Sequence, residues 1–183
     1  ISEAAKATAN AGRKHSTRIL FHTDAVQALK KVPLRLIPEV DAASFSAHKI
    51  GGPRGVGVLW VRTGTPINFM QAGGEQEDGR RAGTENVAGA VGFADSLSTF
   101  PQSKAEDVMS LLIQKLRTIN GVNLIPNSRT PRDDRFSPFI LKLSVTGLPS
   151  EVIVRLLGDQ GICVSPGSAC ATNSQKRLRV LEA

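Results

Sequence analysis

Lys49 stands in the stretch of this sequence that is richest in groups able to do chemistry. It follows an apolar run and directly precedes Gly51 and Gly52 in a turn-prone segment, an unusual place for a fully solvated charge. Partial desolvation favours the neutral, nucleophilic amine that Schiff-base formation requires. The alternative is a hairpin in which Lys49 decorates the turn and the two glycines form the bend. This stretch alone leaves both interpretations open.

Ser46 and His48 precede the lysine at alternate positions. On a continuing strand they point to the same side, because side chains alternate between the two faces. A hydroxyl and a ring nitrogen can each donate a hydrogen bond to an anion such as phosphate. Both residues are therefore candidate anion ligands beside Lys49.

His22 and Asp24 form a second candidate site, since the period of two places them on one face of a predicted strand. A carboxylate near the C-terminal end of a strand in an α/β sheet lies where ligands bind. If Asp24 is buried it needs a cationic or protonated partner, such as a protonated ring nitrogen or an arginine. A capped strand end is the alternative.

Cys170 is the third candidate, because small residues surround it and Pro166-Gly167 precedes it. This setting predicts an exposed, movable loop, which is where a reactive thiol belongs. Cys163 lies between Ile162 and Val164, and we expect it to be a small buried hydrophobe. The spacing of the two cysteines matches no zinc motif, so no metal is predicted.

Helices and strands must alternate to position these groups. The N-terminal part predicts a helix, three strands, a Gly-rich charged loop at 71–83 and a helix that Thr84 caps. The later part predicts a helix with a capping box at Ser103 and an apolar stripe, two short strands, a helix and an extended segment. In the N-terminal part the predicted helix is Ser2–His15, with a stop near Gly12, and the strands are Arg18–Ala25, Val40–Ala47 and Gly55–Arg62. In the later part the helices are Ser103–Ile119 and Ser150–Asp159, the strands are Val122–Ile125 and Phe139–Val145, and the extended segment is Ile162–Ser165. The apolar stripe consists of Val108, Leu112, Leu116 and Ile119. The rhythm indicates an α/β fold whose sheet is covered on both faces, with a domain boundary near Phe100.

Composition excludes several classes of protein. The chain has 183 residues, of which 40% are hydrophobic and 21% charged, too apolar for a disordered segment and without a run that spans a bilayer. The net charge is +7, but the basic residues are scattered and only eight aromatics (seven Phe, one Trp) could stack on bases. We therefore predict no nucleic-acid and no membrane partner, with a basic binding module as the alternative.

Taken together and in this order, four motifs carry a resemblance to a known family. They are FHTDAVQA, SFSAHKIGGPRGVG, GGEQEDGRRAGTENV and SPGSACAT. The chain resembles the C-terminal part of a cysteine desulfurase of the NifS/IscS type, among the pyridoxal-phosphate enzymes of fold type I. The resemblance implies part of the large α/β domain at residues 1–100 and part of the smaller α+β C-terminal domain at residues 101–183.

The resemblance also implies a role for each candidate residue. Lys49 matches the lysine that forms the internal aldimine with pyridoxal 5′-phosphate, and Cys170 the cysteine that accepts sulfur. The remaining matches are Asp24 at the pyridinium nitrogen, Gln27 at the phenolic oxygen, Ser46 and His48 at the phosphate, and Thr84 at the phosphate bound by the other subunit. The last match implies a homodimer with composite sites, whereas Arg80 and Arg81 receive no firm role.

The implied activity is removal of sulfur from L-cysteine, which gives L-alanine and an enzyme persulfide for a sulfur-acceptor protein such as an iron–sulfur scaffold. A selenocysteine lyase, or another class-V enzyme, is the alternative. The family also has residues that we expect before Ile1 and after Ala183: a histidine that stacks on the cofactor, and an arginine for the substrate carboxylate. We therefore expect this chain to be a fragment that is inactive alone. With no targeting signal visible we expect a cytoplasmic protein, or alternatively a mitochondrial or other organellar one.

Overall fold

A computed structural model of the chain describes residues 1–68 and 71–167, with the backbone alone for residues 102 and 103. Its elements, in chain order, are α1 (Ser2–Lys14), β1 (His22–Asp24), β2 (Ala42–Ser46), a 3₁₀ turn (Ala47–Ile50), β3 (Gly57–Val61), the one-turn α2 (Gln76–Gly79), α3 (Val87–Thr99), α4 (Gln102–Leu116), β4 (Val122–Leu124), β5 (Leu143–Val145) and α5 (Ser150–Asp159). They form two compact units, the first of residues 1–109 and 132–140, the second of residues 110–131 and those from 141 onward. The predicted boundary near Phe100 stays a prediction.

The first unit contains a three-stranded sheet in the order β1-β2-β3. β1 runs parallel to β2, with Asp24 opposite Ser44, and β2 runs antiparallel to β3, with Ser46 opposite Gly57. All three strands are shorter than predicted. Just before β1, the carbonyl of Phe21 accepts from the amide of Ala42 at 3.2 Å, whereas the amide of Phe21 donates to the side chain of Asp41 at 2.8 Å and not to a strand backbone.

The core of the first unit lies where the 3₁₀ turn meets α3. Its buried centre is formed by Ala47, Ile50 and Phe93, which expose no more than 5% of their surface. Partly buried apolar residues pack around this centre; they are Leu29, Phe45, Val56 and Phe100. Two of the three central residues flank Lys49 in sequence, so the core fixes the turn that carries it.

The helix boundaries confirm some predictions and correct others. α1 ends one residue before the predicted His15, and Gly12 lies inside it and not at its end. α3 begins at Val87 and not near Thr84. Its N-cap is Asn86, whose Oδ1 accepts a hydrogen bond from the amide of Gly89 at 2.9 Å. The predicted cap at Thr84 is therefore wrong, because the amide oxygen of Asn86 serves the first turn instead.

α4 begins at Gln102, one residue before the predicted Ser103. The capping box rests on a side chain that the structure does not describe, so it stays a prediction. The predicted apolar stripe is wrong, since Val108 is 67% and Leu112 42% exposed, whereas Ile113 is 1% exposed. Apolar residues occur on more than one side of this helix. The 3.6-residue period therefore identifies candidate faces without deciding which of them packs.

In the second unit, β4 and β5 pair antiparallel with Val122 opposite Val145. Both strands are shorter than predicted, and 162–165 forms no strand. Arg117 links the first part of this unit to the loop after β4, because its guanidinium donates to the carbonyl of Arg129 at 2.6 Å. α5 has the predicted bounds. No helix within the described ranges is both long and apolar enough to cross a membrane.

Candidate active site

The parallel pairing of β1 and β2 brings the first polar groups together. His22 Nε2 lies 3.1 Å from Ser44 Oγ, so these two side chains share one face of the sheet. Asp24 is two residues beyond His22 and directly opposite Ser44 in the register. It therefore belongs to the same face, as the alternation predicts. Ser44 was not among the predicted site residues.

Asp24 is exposed in the described chain, so the condition under which its carboxylate would need a partner charge is not met. Its Oδ1 accepts a hydrogen bond from the amide of Val26 at 3.1 Å, which is the capped strand end that the sequence also allowed. β1 is an edge strand of the described sheet, and this explains the exposure. The cap uses one oxygen, and Oδ2 has no hydrogen-bond partner among the described residues.

Ser46 and His48 meet at the end of β2. Ser46 Oγ lies 3.1 Å from His48 Nδ1, and the ring tautomer decides which of them donates. The strand itself stops at Ser46, since the next residue already starts the 3₁₀ turn. The predicted common side is nevertheless realised, because the turn keeps the imidazole beside the hydroxyl.

Lys49 lies in the 3₁₀ turn between β2 and β3. The buried neighbours Ala47 and Ile50 anchor this turn, and Gly51 ends it in the left-handed region at φ 82°. The side chain of Lys49 is exposed, so the predicted desolvation is wrong for the described chain. The local geometry matches the alternative hairpin, in which Lys49 lies at the surface one residue after His48.

Gly52 allows the turn to approach α3. A Cβ at this position would lie 2.9 Å from Ala47 Cβ and 2.9 Å from Ser96 Oγ. Ser96 is buried and donates its hydroxyl to the carbonyl of Phe93 at 2.7 Å, so it cannot withdraw without losing that bond. The position of Lys49 thus depends on the absence of a side chain at Gly52, three residues later.

Lys31 is a site residue that sequence reasoning missed. It is 6% exposed, and its Nζ donates to Gln27 Oε1 at 2.6 Å. Burial, and then the positive charge of Lys49, lower the pKa of Lys31 below its ordinary value. The charge of Lys49 thus acts on Lys31. The spacing of four residues from Gln27 was the available signal, because such pairs meet on a helical turn.

Thr84 lies outside this cluster as the structure describes it. It is exposed and lines an open groove with Gly57 and Arg81. Arg81 is held by Glu77 at 2.8 Å and donates to the carbonyl of Gly83 at 3.1 Å, which fixes the segment before α3. The structure thus brings Thr84 to a surface and not to Lys49.

The two cysteines have different outcomes. Cys170 lies outside the described residues, so its loop stays a prediction. Cys163 is exposed, as are Ile162 and Val164 on either side of it, and the prediction of a buried hydrophobe is wrong. An apolar triplet predicts burial only where another element covers it, and the described residues supply none.

Comparison with known proteins identifies the class. A family model described as aminotransferase class-V matches residues 5–182. The chain therefore belongs to the class-V aminotransferase family, and the predicted α/β fold of this pyridoxal-phosphate enzyme type is confirmed.

Individual relatives show which proteins of the family this chain is similar to. A cysteine desulfurase from Cereibacter sphaeroides is 40% identical over 173 residues, which are 92% of this chain and 44% of that protein. A solved structure titled NifS-like protein is 39% identical with a TM-score of 0.68, covering 84% of this chain and 42% of the other. The structure of SspA in complex with cysteine is 26% identical with a TM-score of 0.66, covering 94% and 47%. The chain spans less than half the length of each of these three relatives.

Proposed function

We propose that the protein to which this chain belongs is a pyridoxal-phosphate-dependent cysteine desulfurase. The observation that carries the proposal is the end of β2, where the Ser46–His48 pair stands directly before Lys49. Asp24 lies on the neighbouring strand, in register with Ser44. The similarity to relatives named cysteine desulfurase supports the same activity.

The chemistry of these groups fits pyridoxal 5′-phosphate. The hydroxyl of Ser46 and the imidazole of His48 would hold the phosphate, and the amine of Lys49 would hold the aldehyde. The exposed carboxylate of Asp24 would hold the ring nitrogen, and the amide of Gln27 the phenolic oxygen. When bound, the cofactor withdraws electrons from the substrate carbon.

The chain's own groups then have separate tasks. Asp24, as a carboxylate, would keep a proton on the ring nitrogen of the bound cofactor. The amine of Lys49 would take a proton from the substrate and return one, as a general base and acid. The Cys170 thiolate would attack the substrate sulfur to form a persulfide, while the carbon–sulfur bond breaks, the carbon keeps its electron pair and a proton is added there to give alanine. The movable loop that the sequence predicts at Cys170 would let the persulfide travel to an acceptor.

The partners follow from the same proposal. L-Cysteine is the substrate, and the printed title of one neighbour describes a complex with cysteine. Thr84 lies at the surface and lines an open groove, and this exposure supports the proposal that it serves the phosphate of a second subunit in a homodimer. The persulfide passes to a sulfur-acceptor protein such as an iron–sulfur scaffold.

Two variants of the complete protein test this function. Lys49→Ala should lose the absorption band of the lysine-bound cofactor, because no other amine stands at that position. Cys170→Ala should keep the band and its response to L-cysteine but lose sulfide release. Measurement of both the spectrum and sulfide formation separates the two steps.

Cys163→Ala is the matched control, because it removes the other thiol, which is exposed. Its sulfide release should equal that of the unaltered protein. Full sulfide release by Cys170→Ala would overturn the sulfur-transfer step. Turnover of L-selenocysteine but not L-cysteine would instead support a selenocysteine lyase.

A further inference from the structure

The buried ammonium of Lys31 demands a structural reason. A lysine that is 6% exposed gives up most of its hydration, which is costly unless other groups replace it. Two groups do so: Gln27 Oε1 at 2.6 Å, and the ring of Phe139, whose centroid is 5.8 Å from Nζ. The first accepts a hydrogen bond, and the second offers the negative face of an aromatic ring.

The contact decides the orientation of the Gln27 amide. An ammonium group has three donors and no acceptor, so the atom that faces Lys31 Nζ must be the amide oxygen. The amide NH₂ of Gln27 is therefore turned away from Lys31. Among the residues that the structure describes, this NH₂ has no hydrogen-bond partner.

The backbone between the two residues supports the contact. The amide of Leu29 bonds to the carbonyl of Ala25 at 3.2 Å, and that of Val32 to the carbonyl of Ala28 at 3.1 Å. These bonds form consecutive turns between the two residues, but not a continuous helix, since Lys30 has a left-handed φ of 60°. The contact between Lys31 and Gln27, called the clamp below, therefore belongs to a hydrogen-bonded turn segment between β1 and β2.

We propose that Lys31 is a positioning residue of the cofactor site, which holds the amide of Gln27 with its NH₂ free to donate to the phenolic oxygen of pyridoxal phosphate. This inference rests on the proposed function for the identity of the ligand. Lys31 does not contact the reacting atoms. It acts through Gln27, and its charge acts on the neighbourhood of Lys49.

The clamp has a spectroscopic consequence whose sign is defined. A donor at the phenolic oxygen stabilises negative charge there and weakens the hold of that oxygen on the proton shared with the Lys49 nitrogen. A cation near Lys49 disfavours the same protonated state. Loss of Lys31 removes both effects. The pH midpoint of the cofactor's absorption change should therefore rise.

The test is a pH titration of that absorption in the complete, cofactor-loaded protein. Lys31→Met should raise the midpoint by about half a pH unit or more, and Lys31→Arg, which keeps charge and donors, should restore it. Lys30→Met is the matched control, because it removes an exposed neighbouring lysine and should leave the midpoint in place. If Lys31→Met does not fold, Lys31→Gln replaces it in the test. The amide of a glutamine at this position can donate to or accept from Gln27, so it no longer fixes the orientation of the Gln27 amide.

A double-mutant cycle with Gln27→Ala apportions the effect. The midpoint shift caused by Lys31→Met should shrink at least about twofold when Gln27 is already absent. An equal shift in both backgrounds would overturn the clamp, because Lys31 would then act by charge alone. An unchanged midpoint in Lys31→Met would overturn it too. Absence of any cofactor band in the unaltered protein would instead refute the proposed function.

Discussion

Gly52 lies where the 3₁₀ turn that carries Lys49 meets α3. The space that a Cβ would need is occupied by Ala47 and by the buried hydroxyl of Ser96. Neither neighbour can move without a loss of stability, because Ala47 belongs to the core and the hydroxyl of Ser96 is hydrogen bonded. The smallest possible side-chain addition would therefore displace the turn.

Gly52→Ala should lower the free energy of unfolding by about 1–3 kcal/mol, as overpacking does, and weaken cofactor retention in the complete protein. Urea unfolding and cofactor occupancy measure the two effects. Gly51→Ala is the control: at φ 82° it costs about 1–2 kcal/mol of backbone strain, but its Cβ meets nothing within 4 Å. Loss of cofactor in both variants alike would contradict the steric argument.

The sequence alone predicts which residues could do chemistry, but it does not predict whether each of them is buried or exposed in the fold. The sequence alone identifies Ser46, His48 and Lys49 as a cluster, and the structure joins the first two. The sequence does not reveal that Lys31 is the lysine shielded from solvent, because its burial depends on Phe139, which lies far along the chain. The exposure of Asp24 follows instead from its place on the edge strand β1, and the local sequence does not reveal which strand lies at the edge.

The start of α3 shows what a cap contributes at the scale of an element. Asn86→Ala removes the acceptor for the Gly89 amide and should lower the free energy of unfolding by about 1 kcal/mol. Urea denaturation at fixed pH measures this. A loss below about 0.3 kcal/mol would show that the amide finds solvent without cost.

Thr84→Ala is the control for this helix. Thr84 makes no side-chain hydrogen bond within the described part of the chain, so the free energy of unfolding should stay within about 0.5 kcal/mol. Its proposed phosphate contact predicts weaker cofactor retention in the dimer instead. An equal loss of stability in both variants would contradict the assignment of Asn86 as the cap.

Elements with a continuous local signal were predicted well. α1 and α5 match within one residue, because helix propensity and spacing act over their whole length. Strand lengths were overestimated, because apolar composition does not reveal where a neighbouring strand stops pairing. The face of α4 could not be predicted, since its packing depends on residues distant in sequence.

At the scale of the whole molecule, pH should alter stability through Lys31. Burial, and then Lys49, lower its pKa in the folded chain, whereas the unfolded chain has the ordinary value of 10.5. Between these two values the unfolded state binds more protons, so the free energy of unfolding contributed by Lys31 rises with pH. The sequence contains no tyrosine, so no phenol titrates in this range.

Urea midpoints between about pH 8 and pH 10 provide the measurement. The difference between the unaltered chain and Lys31→Met should change in favour of the unaltered chain as pH rises. Lys30→Met, which removes an exposed charge, should run parallel to the unaltered chain. Parallel curves for all three would show that Lys31 titrates normally in the folded state.

Family membership was predictable for the whole chain because four motifs had to occur together and in order. The division of the chain into two compact units was harder to predict, since the second unit takes residues from both sides of the segment 132–140. Contacts between distant segments decide that division. Local sequence patterns contain little information about them.

β2 has hydrogen-bonded strands on both sides, and the groups proposed to grip the phosphate stand at its end. A strand paired along both edges cannot shift without breaking two ladders at once. Divergence toward other amino-acid substrates would therefore leave this strand untouched. New specificity would have to arise in the surrounding loops, which can lengthen or exchange residues while the anchor stays in place.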